Sequence, residues 1–199
     1  MIKRLLWNFE IDTEAPYDFE NLAKEEKEKL RWERRFFWHD EKIIVLKHAN
    51  KNLLQLDQWR CKQRQDIYYL FPKTGYNVKE RRQRLVYKPL LEKKSDCEAY
   101  GSKMDIFTAE PGQVLTEIAR LLESSLRVVL LKTVFIYKLP TQPRIRLELS
   151  RFEIDKQYYF SACIEGHSYS LVKNISKGLL PNAVSCDYVS FLKKIKHYE

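Results

Sequence analysis

The chain has 199 residues, 44% of them apolar, and a formal net charge of +9, which is enough apolar matter for one sizeable core and points first to a single domain. Four scattered cysteines (Cys61, Cys97, Cys163, Cys186) without Cys-x-x-Cys spacing exclude a zinc knuckle and a small disulfide scaffold. No apolar run approaches the roughly 18 residues of a membrane helix, and the apolar start at Met1 ends by Asn8-Phe9-Glu10, too soon for a signal peptide. A cytoplasmic location is therefore expected, or a nuclear one if the source is eukaryotic, with no membrane partner.

The charge is uneven. Residues 1–59 hold 11 basic and 12 acidic side chains, residues 60–94 hold 11 and 3, and residues 95–199 hold 14 and 12. Such a local excess concentrates anions and favours phosphate groups or nucleic acid over neutral ligands.

In chain order, Ile2 to Ile11 reads as a short apolar strand, and Glu20 to Leu30, rich in Glu and Lys and free of Gly and Pro, as a solvated helix. Arg31 to Trp38 suits a strand. Arg64 to Phe71, Tyr76 to Arg82 and Arg84 to Leu91 follow at hairpin spacings. Pro111 to Leu122 places Val114, Leu115, Ile118, Leu121 and Leu122 on one helical face. Strands are expected over Val128 to Lys138, Arg144 to Ile154 and Tyr158 to Glu165. A last helix after Ser185 carries Tyr188, Val189, Leu192 and Ile195 at helical spacing, behind a Ser or Asp cap. Hairpins with helices between them suggest an α+β class.

Residues two apart on a strand share a face. Arg31, Glu33 and Arg35 do so, as do Lys79 and Arg81, and Arg144, Arg146 and Glu148 opposite Ile145, Leu147 and Leu149. Either these charged faces meet water on ordinary sheets, or they converge in a closed barrel with a polar lumen.

This order of strands resembles the triphosphate tunnel metalloenzyme (CYTH-like) superfamily over roughly residues 31–165, with residues 166–199 as a C-terminal helical segment. Glu33-Arg-Arg-Phe-Phe is similar to the second half of the family's opening Glu-x-Glu-x-Lys strand, Arg35 standing at its lysine and Arg31 at its first glutamate. Asn77-Val-Lys-Glu-Arg81 and Arg84-Leu-Val-Tyr-Lys88 resemble its basic strands. Leu130 to Tyr137 resembles the strand that carries a lysine, here Lys132, with Val134 in place of an arginine. Ile145 to Glu153 resembles an acidic strand, and Tyr159 to Glu165 the Phe-x-Glu-x-Glu strand with Cys163 at the first glutamate. Phe9 to Glu14, with Glu10, Asp12 and Glu14 on one face, is a second candidate for the opening strand.

The resemblance implies a closed antiparallel eight-stranded β-barrel with packed surface helices, and a hydrolase acting on inorganic triphosphate, a nucleotide or an RNA 5′-triphosphate. It implies Lys132 and Arg35 as catalytic groups, Lys79, Arg81, Lys88 and Arg146 on the phosphates, and Mg²⁺ or Mn²⁺ on Glu33, Glu148 and Glu165. With carboxylate positions taken by Arg31 and Cys163, two other readings stand beside it. One is a tunnel-fold protein that binds RNA, polyphosphate or an acidic protein partner without catalysis. The other is a nucleic-acid-binding module of another fold, with Trp59, Tyr68, Tyr69, Tyr76 and Tyr87 among the basic residues. P-loop and Rossmann glycine patterns are absent, the four histidines (His39, His48, His167, His197) lack zinc spacing, and no Ser-His-Asp arrangement is visible.

Overall fold

The computed structural model describes residues 1–15, 22, 24–47, 51–110 and 112–198. The chain opens with a hairpin, β1 (Ile2–Leu6) and β2 (Phe9–Asp12), where one strand was expected; β4 (Ile44–Lys47) adds to β2 in parallel and completes a three-stranded sheet. Between them lies β3 (Arg31–His39), followed by β5 (Arg60–Leu70), β6 (Val78–Arg81), β7 (Arg84–Tyr87), β8 (Leu90–Lys94), β9 (Cys97–Tyr100) and β10 (Met104–Asp105). Helix α1 (Gln113–Leu121) leads to three long strands, β11 (Leu126–Lys138), β12 (Arg146–Ile154) and β13 (Gln157–Gly166), and then to α2 (Tyr169–Leu179) and α3 (Tyr188–Lys196).

Ten strands form one antiparallel sheet in the order β10-β7-β6-β5-β11-β12-β13-β3-β9-β8. The class is α+β, but the expected closed eight-stranded barrel is not formed: the sheet is open, with β10 and β8 at its edges. Two local features decide this. The two-residue β10 takes the free side of β7, Met104 opposite Tyr87, so no other strand can pair there. Pro89, which has no N–H to give to a ladder, separates β7 from β8 and splits the single strand expected over Arg84 to Leu91. Because β7 and β8 are joined only by Lys88-Pro89 and yet sit near opposite ends of the order, the sheet curls round its polar face. Lys88 Nζ reaches the Glu33 carboxylate of β3 at 2.7 Å.

Period-2 patterning fills both faces. On β12, Leu147 and Leu149 are fully buried on the outer face while Arg146 and Glu148 line the inner one. The outer core joins these to Trp32, Phe36, Phe160, Ala162 and Ile164 under α2 and the small sheet. α3, whose N-cap Asp187 accepts from Ser190 N at 3.0 Å, inserts Tyr188, Val189, Phe191 and Leu192 into one end of the curled face, against Tyr68, Leu70, Val128, Leu130 and Phe152. α1 covers Phe71, Val78 and Leu85.

The solvated helix expected over Glu20 to Leu30 is corrected where it can be seen; residues 20, 21 and 23, like Pro111 of the α1 expectation, lie outside the described residues. Residues 24–30 are irregular. Their polar groups serve other segments instead: Glu25 N donates to Gln142 O (2.9 Å), Glu28 N to His167 O (2.8 Å), and the Glu28 carboxylate accepts from Trp32 Nε1 and Tyr169 N, both at 2.6 Å. Tertiary hydrogen bonds thus override the local helix propensity. Among the described residues, no helix is long and apolar enough to cross a membrane.

Candidate anion-binding cleft

The curled face encloses a cavity of about 670 Å³. Ten cationic side chains line it, Lys29, Arg31, Arg35, Lys62, Arg64, Lys79, Arg81, Lys88, Lys103 and Arg146, against three carboxylates, Glu33, Glu148 and Glu165. Eight of the nine residues expected to form the site therefore meet in one place. The ninth, Lys132, is 3% exposed and lies behind the wall. Its Nζ is 3.2 Å from Glu148 Oε1 and also donates to the Tyr188 hydroxyl of α3.

The geometry follows from cross-strand register. Glu148 of β12 stands opposite Cys163 of β13, which stands opposite Arg35 of β3, so all three share the inner face. Lys79 lies opposite Tyr68, and Arg81 reaches across to Asp66 on β5. Arg144, read as sharing the face of Arg146, instead lines a separate cavity with Gln142, Pro143 and His167, because β12 begins only at Arg146.

Every carboxylate at the site has a cation beside it. Arg35 Nη1 (3.1 Å), Lys132 Nζ (3.2 Å) and Arg64 Nη2 (3.9 Å) surround Glu148. Burial alone would raise its carboxyl pKa, but Lys132, Arg35 and Arg64 outweigh that and hold it well below the ordinary range. Glu33 is likewise raised by burial and lowered further by Lys88 and Arg35, ending below its usual value. Glu165 accepts from Arg31 at 2.5 Å and lies 3.9 Å from Arg146. Asp66, 1% exposed, receives Arg81 through Nε and through Nη2 (2.6 Å), and lies 3.4 Å from Arg64 Nε.

The cations are not fully compensated. Among the described residues Lys79 makes no ion pair; its Nζ donates to the Tyr68 hydroxyl at 3.4 Å and stands 5.2 Å from the centre of that ring. Burial pushes its ammonium well below the ordinary lysine range; Arg81, Lys103 and Lys88 push the same way, and Asp66 only partly opposes them. Lys103 is also depressed, by burial and then by Arg81 and Lys88. An anion entering here meets donors already held by the fold, and hydrogen bonds from such charged donors are the strong kind.

Among the described residues one cluster could seat a divalent ion. Donor atoms of Glu33, Cys163 and Glu165 all lie within 4.8 Å of one another. Burial raises the Cys163 thiol well above its usual value despite Arg35 nearby, so it is protonated at neutral pH and a poor ligand for a hard cation. Two carboxylates remain, which suits Mg²⁺ or Mn²⁺ when phosphate oxygens complete the shell. Glu148, held by three cations, is the least free of the three expected metal ligands. Glu10 and Asp12, of the alternative opening strand, lie in the small sheet outside the cleft, where Glu10 pairs with Arg4 at 3.2 Å.

Sequence reasoning missed Arg64, Lys62, Asp66, Lys103 and Tyr188 as site residues. The first three were detectable, since Arg60, Lys62, Arg64 and Asp66 alternate like the other charged faces; the strand expected from Arg64 left out Lys62, and its charged residues Arg64 and Asp66 were not read as facing the site. Lys103 lies in the segment between β9 and β10, and no periodicity marks it. Tyr188 was visible only as one of α3's apolar positions. The aromatics offered as stacking platforms are placed otherwise: Trp59 and Tyr68 are buried, and Tyr69, Tyr76 and Tyr87 pack against the α1 core, the first two bonding Glu80 and Glu117.

No protein-family model and no curated protein matches the chain. Among solved structures it is similar to the PH1819 protein of Pyrococcus horikoshii, 14% identical, covering 82% of this chain and 99% of that one with a TM-score of 0.40. It is also similar to a "putative adenylate cyclase" of Bacillus halodurans, 11% identical, covering 83% of this chain and 87% of that one with a TM-score of 0.39. Likeness at that level says nothing of chemistry, which rests on the residues of the cleft.

Proposed function

We propose that the protein binds a short oligophosphate in this cleft, as free triphosphate or as the triphosphate end of a nucleotide or RNA, and acts on it as a metal-dependent phosphohydrolase. The observation that carries the reading is the meeting of ten cations with three carboxylates in one cavity of about 670 Å³. A triphosphate, with about four to five negative charges, offsets most of the excess of seven cations over carboxylates, whereas a neutral ligand leaves it unopposed.

In this reading Lys79, Arg81, Lys88 and Arg146 hold the phosphate oxygens, and Arg35 offsets the charge that develops on the transferred phosphoryl group. Lys132, out of reach of the ligand, acts through Glu148 as a positioning residue. Glu33 and Glu165 are the carboxylates available to Mg²⁺ or Mn²⁺, which when bound polarises the phosphoryl group and orients the attacking water. No side-chain nucleophile is required.

One observation favours a second reading, binding without turnover: Glu33, Glu148 and Glu165 each already have a cation within 3.2 Å. Calorimetric binding of tripolyphosphate, run beside phosphate release from tripolyphosphate, ATP and 5′-triphosphorylated RNA with Mg²⁺ or Mn²⁺, separates the two. Hydrolysis predicts release above background that Glu165→Gln abolishes while binding persists. Binding with no release in either metal leaves the second reading, and absence of binding overturns both.

A further inference from the structure

A second cavity, of about 350 Å³, opens beside the first and shares Lys62, Ile136 and Arg146 with it. Arg60 and Lys138 are among its remaining walls, and it contains no acidic residue. Lys62 feels this charge: Arg60 first, then burial, Arg64 and Arg146 lower its ammonium pKa, with Glu148 opposing. Register gives the shape. Arg60, Lys62 and Arg64 are alternate residues of β5, so they share one face at a repeat of about 6.6 Å. Arg60 is paired with Ile136 of β11, and Lys138 with Arg146 of β12. Arg60 and Lys62 on β5 and Arg146 on β12 therefore flank a floor on β11 that carries Ile136 and Lys138, and the two sides stand two strand spacings apart, about 10 Å.

We propose that this groove is a binding site for single-stranded nucleic acid, so that the oligophosphate in the deep cleft is the 5′ end of a strand that leaves along Arg60 and Lys62. The inference rests on the oligophosphate reading of the cleft and names its substrate class. Three observations favour a polynucleotide. The cation repeat matches the spacing of phosphates along an extended strand and greatly exceeds that between neighbouring phosphates of a phosphoanhydride chain. The floor sets Ile136, which accepts sugar or base surface, beside Lys138, which can meet a phosphate of the same strand. Sides about 10 Å apart admit one strand and exclude a duplex.

The test is fluorescence anisotropy of a 3′-labelled single-stranded RNA of about 12 nucleotides, with a 5′-triphosphate or a 5′-hydroxyl, against wild type and the Arg60→Gln/Lys138→Gln variant. Both side chains are exposed, so the variant should fold, and its melting curve checks that. The expected result is a loss of RNA affinity on the order of tenfold and a salt slope shallower by about 1.4, the value for two lost phosphate contacts on a single strand. Tripolyphosphate affinity by calorimetry should stay within about twofold. Unchanged RNA binding, an equal loss for both ligands, equal affinity for duplex RNA, or long-chain polyphosphate losing affinity as RNA does would each overturn the proposal. If tripolyphosphate fails to bind wild type while RNA still depends on Arg60 and Lys138, the groove stands and the oligophosphate reading of the deep cleft falls.

Discussion

Replacing Glu148 by Gln keeps the shape of the side chain and removes the charge at the centre of the buried network. Arg35 (8% exposed) and Lys132 (3% exposed) then lose the carboxylate 3.1 and 3.2 Å away. Removing one partner of a buried ion pair costs about 3–5 kcal/mol. The amide oxygen can still accept a hydrogen bond and Lys132 keeps the Tyr188 hydroxyl, so the lower end, about 3 kcal/mol, applies. For a chain of this length that lowers the melting temperature by roughly 6–12 °C. The same change removes a negative charge from the cleft, so tripolyphosphate should bind more tightly, measured by calorimetry with a chelator present. Saturating tripolyphosphate should also restore part of the lost melting temperature, since it binds only the folded chain. A variant that melts within about 2 °C of wild type, or binds tripolyphosphate more weakly, refutes the reasoning.

Glu33, Asp66 and Glu148 all have carboxyls held below their ordinary range. Their contribution to stability is complete above the unfolded carboxyl value, about pH 4, and is lost as pH falls through the depressed native values. Melting temperature should thus be nearly flat from neutral pH to about 5 and fall below about 4, less steeply in Glu148→Gln. Affinity for tripolyphosphate should fall as pH rises toward the depressed value of Lys79, a loss that calorimetry detects and that Lys79→Met should flatten. A Cβ at Gly166 would meet Ile145 Cδ1 at 2.3 Å and Arg144 O at 3.2 Å, so Gly166→Ala should destabilise by about 1–3 kcal/mol in denaturant melts. With a thiol reagent under native conditions, exposed Cys61 should react at once, while buried Cys97, its thiol pushed up to about 11, and Cys163 should wait for unfolding.

Elements whose identity depends on their own pattern were legible. The charged alternation on β3, β6 and β12 marked one common polar face, and the apolar spacing of α1 and α3 marked two helices. α2 was expected only within a helical segment over residues 166–199, though its own signals are present: Ser168 caps it through Leu171 N at 3.2 Å, and Leu171, Val172, Ile175 and Leu179 repeat at helical spacing. What the pattern could not supply was edge pairing. Whether the sheet closes depends on a two-residue strand at Met104 and on a proline at 89, and neither alters the alternation of the strands beside it. The helix over Glu20 to Leu30 failed for a related reason, since the Glu28 carboxylate serves Trp32 and Tyr169, partners that only the fold brings near.

The carboxylates of the cleft matter first as internal counterions. Cations packed this closely repel one another, which lowers Lys62 through Arg60 and adds to the effect of burial on Lys79 and Lys103, and a site of cations alone would oppose folding. Asp66 fixes Arg81 and approaches Arg64, Glu148 fixes Arg35 and Lys132, and Glu33 fixes Lys88. Each pair holds a donor in place before any ligand arrives, which reduces the ordering cost of binding. The same pairs compete with the ligand, because a phosphate must draw the cation partly away from its carboxylate. Affinity is therefore set by the cations left without a full partner. Among the described residues those are Lys79 and Lys103 in the cleft, so neutralising either should weaken tripolyphosphate binding more than neutralising a paired residue such as Arg81, whose loss also leaves buried Asp66 with only Arg64, 3.4 Å away.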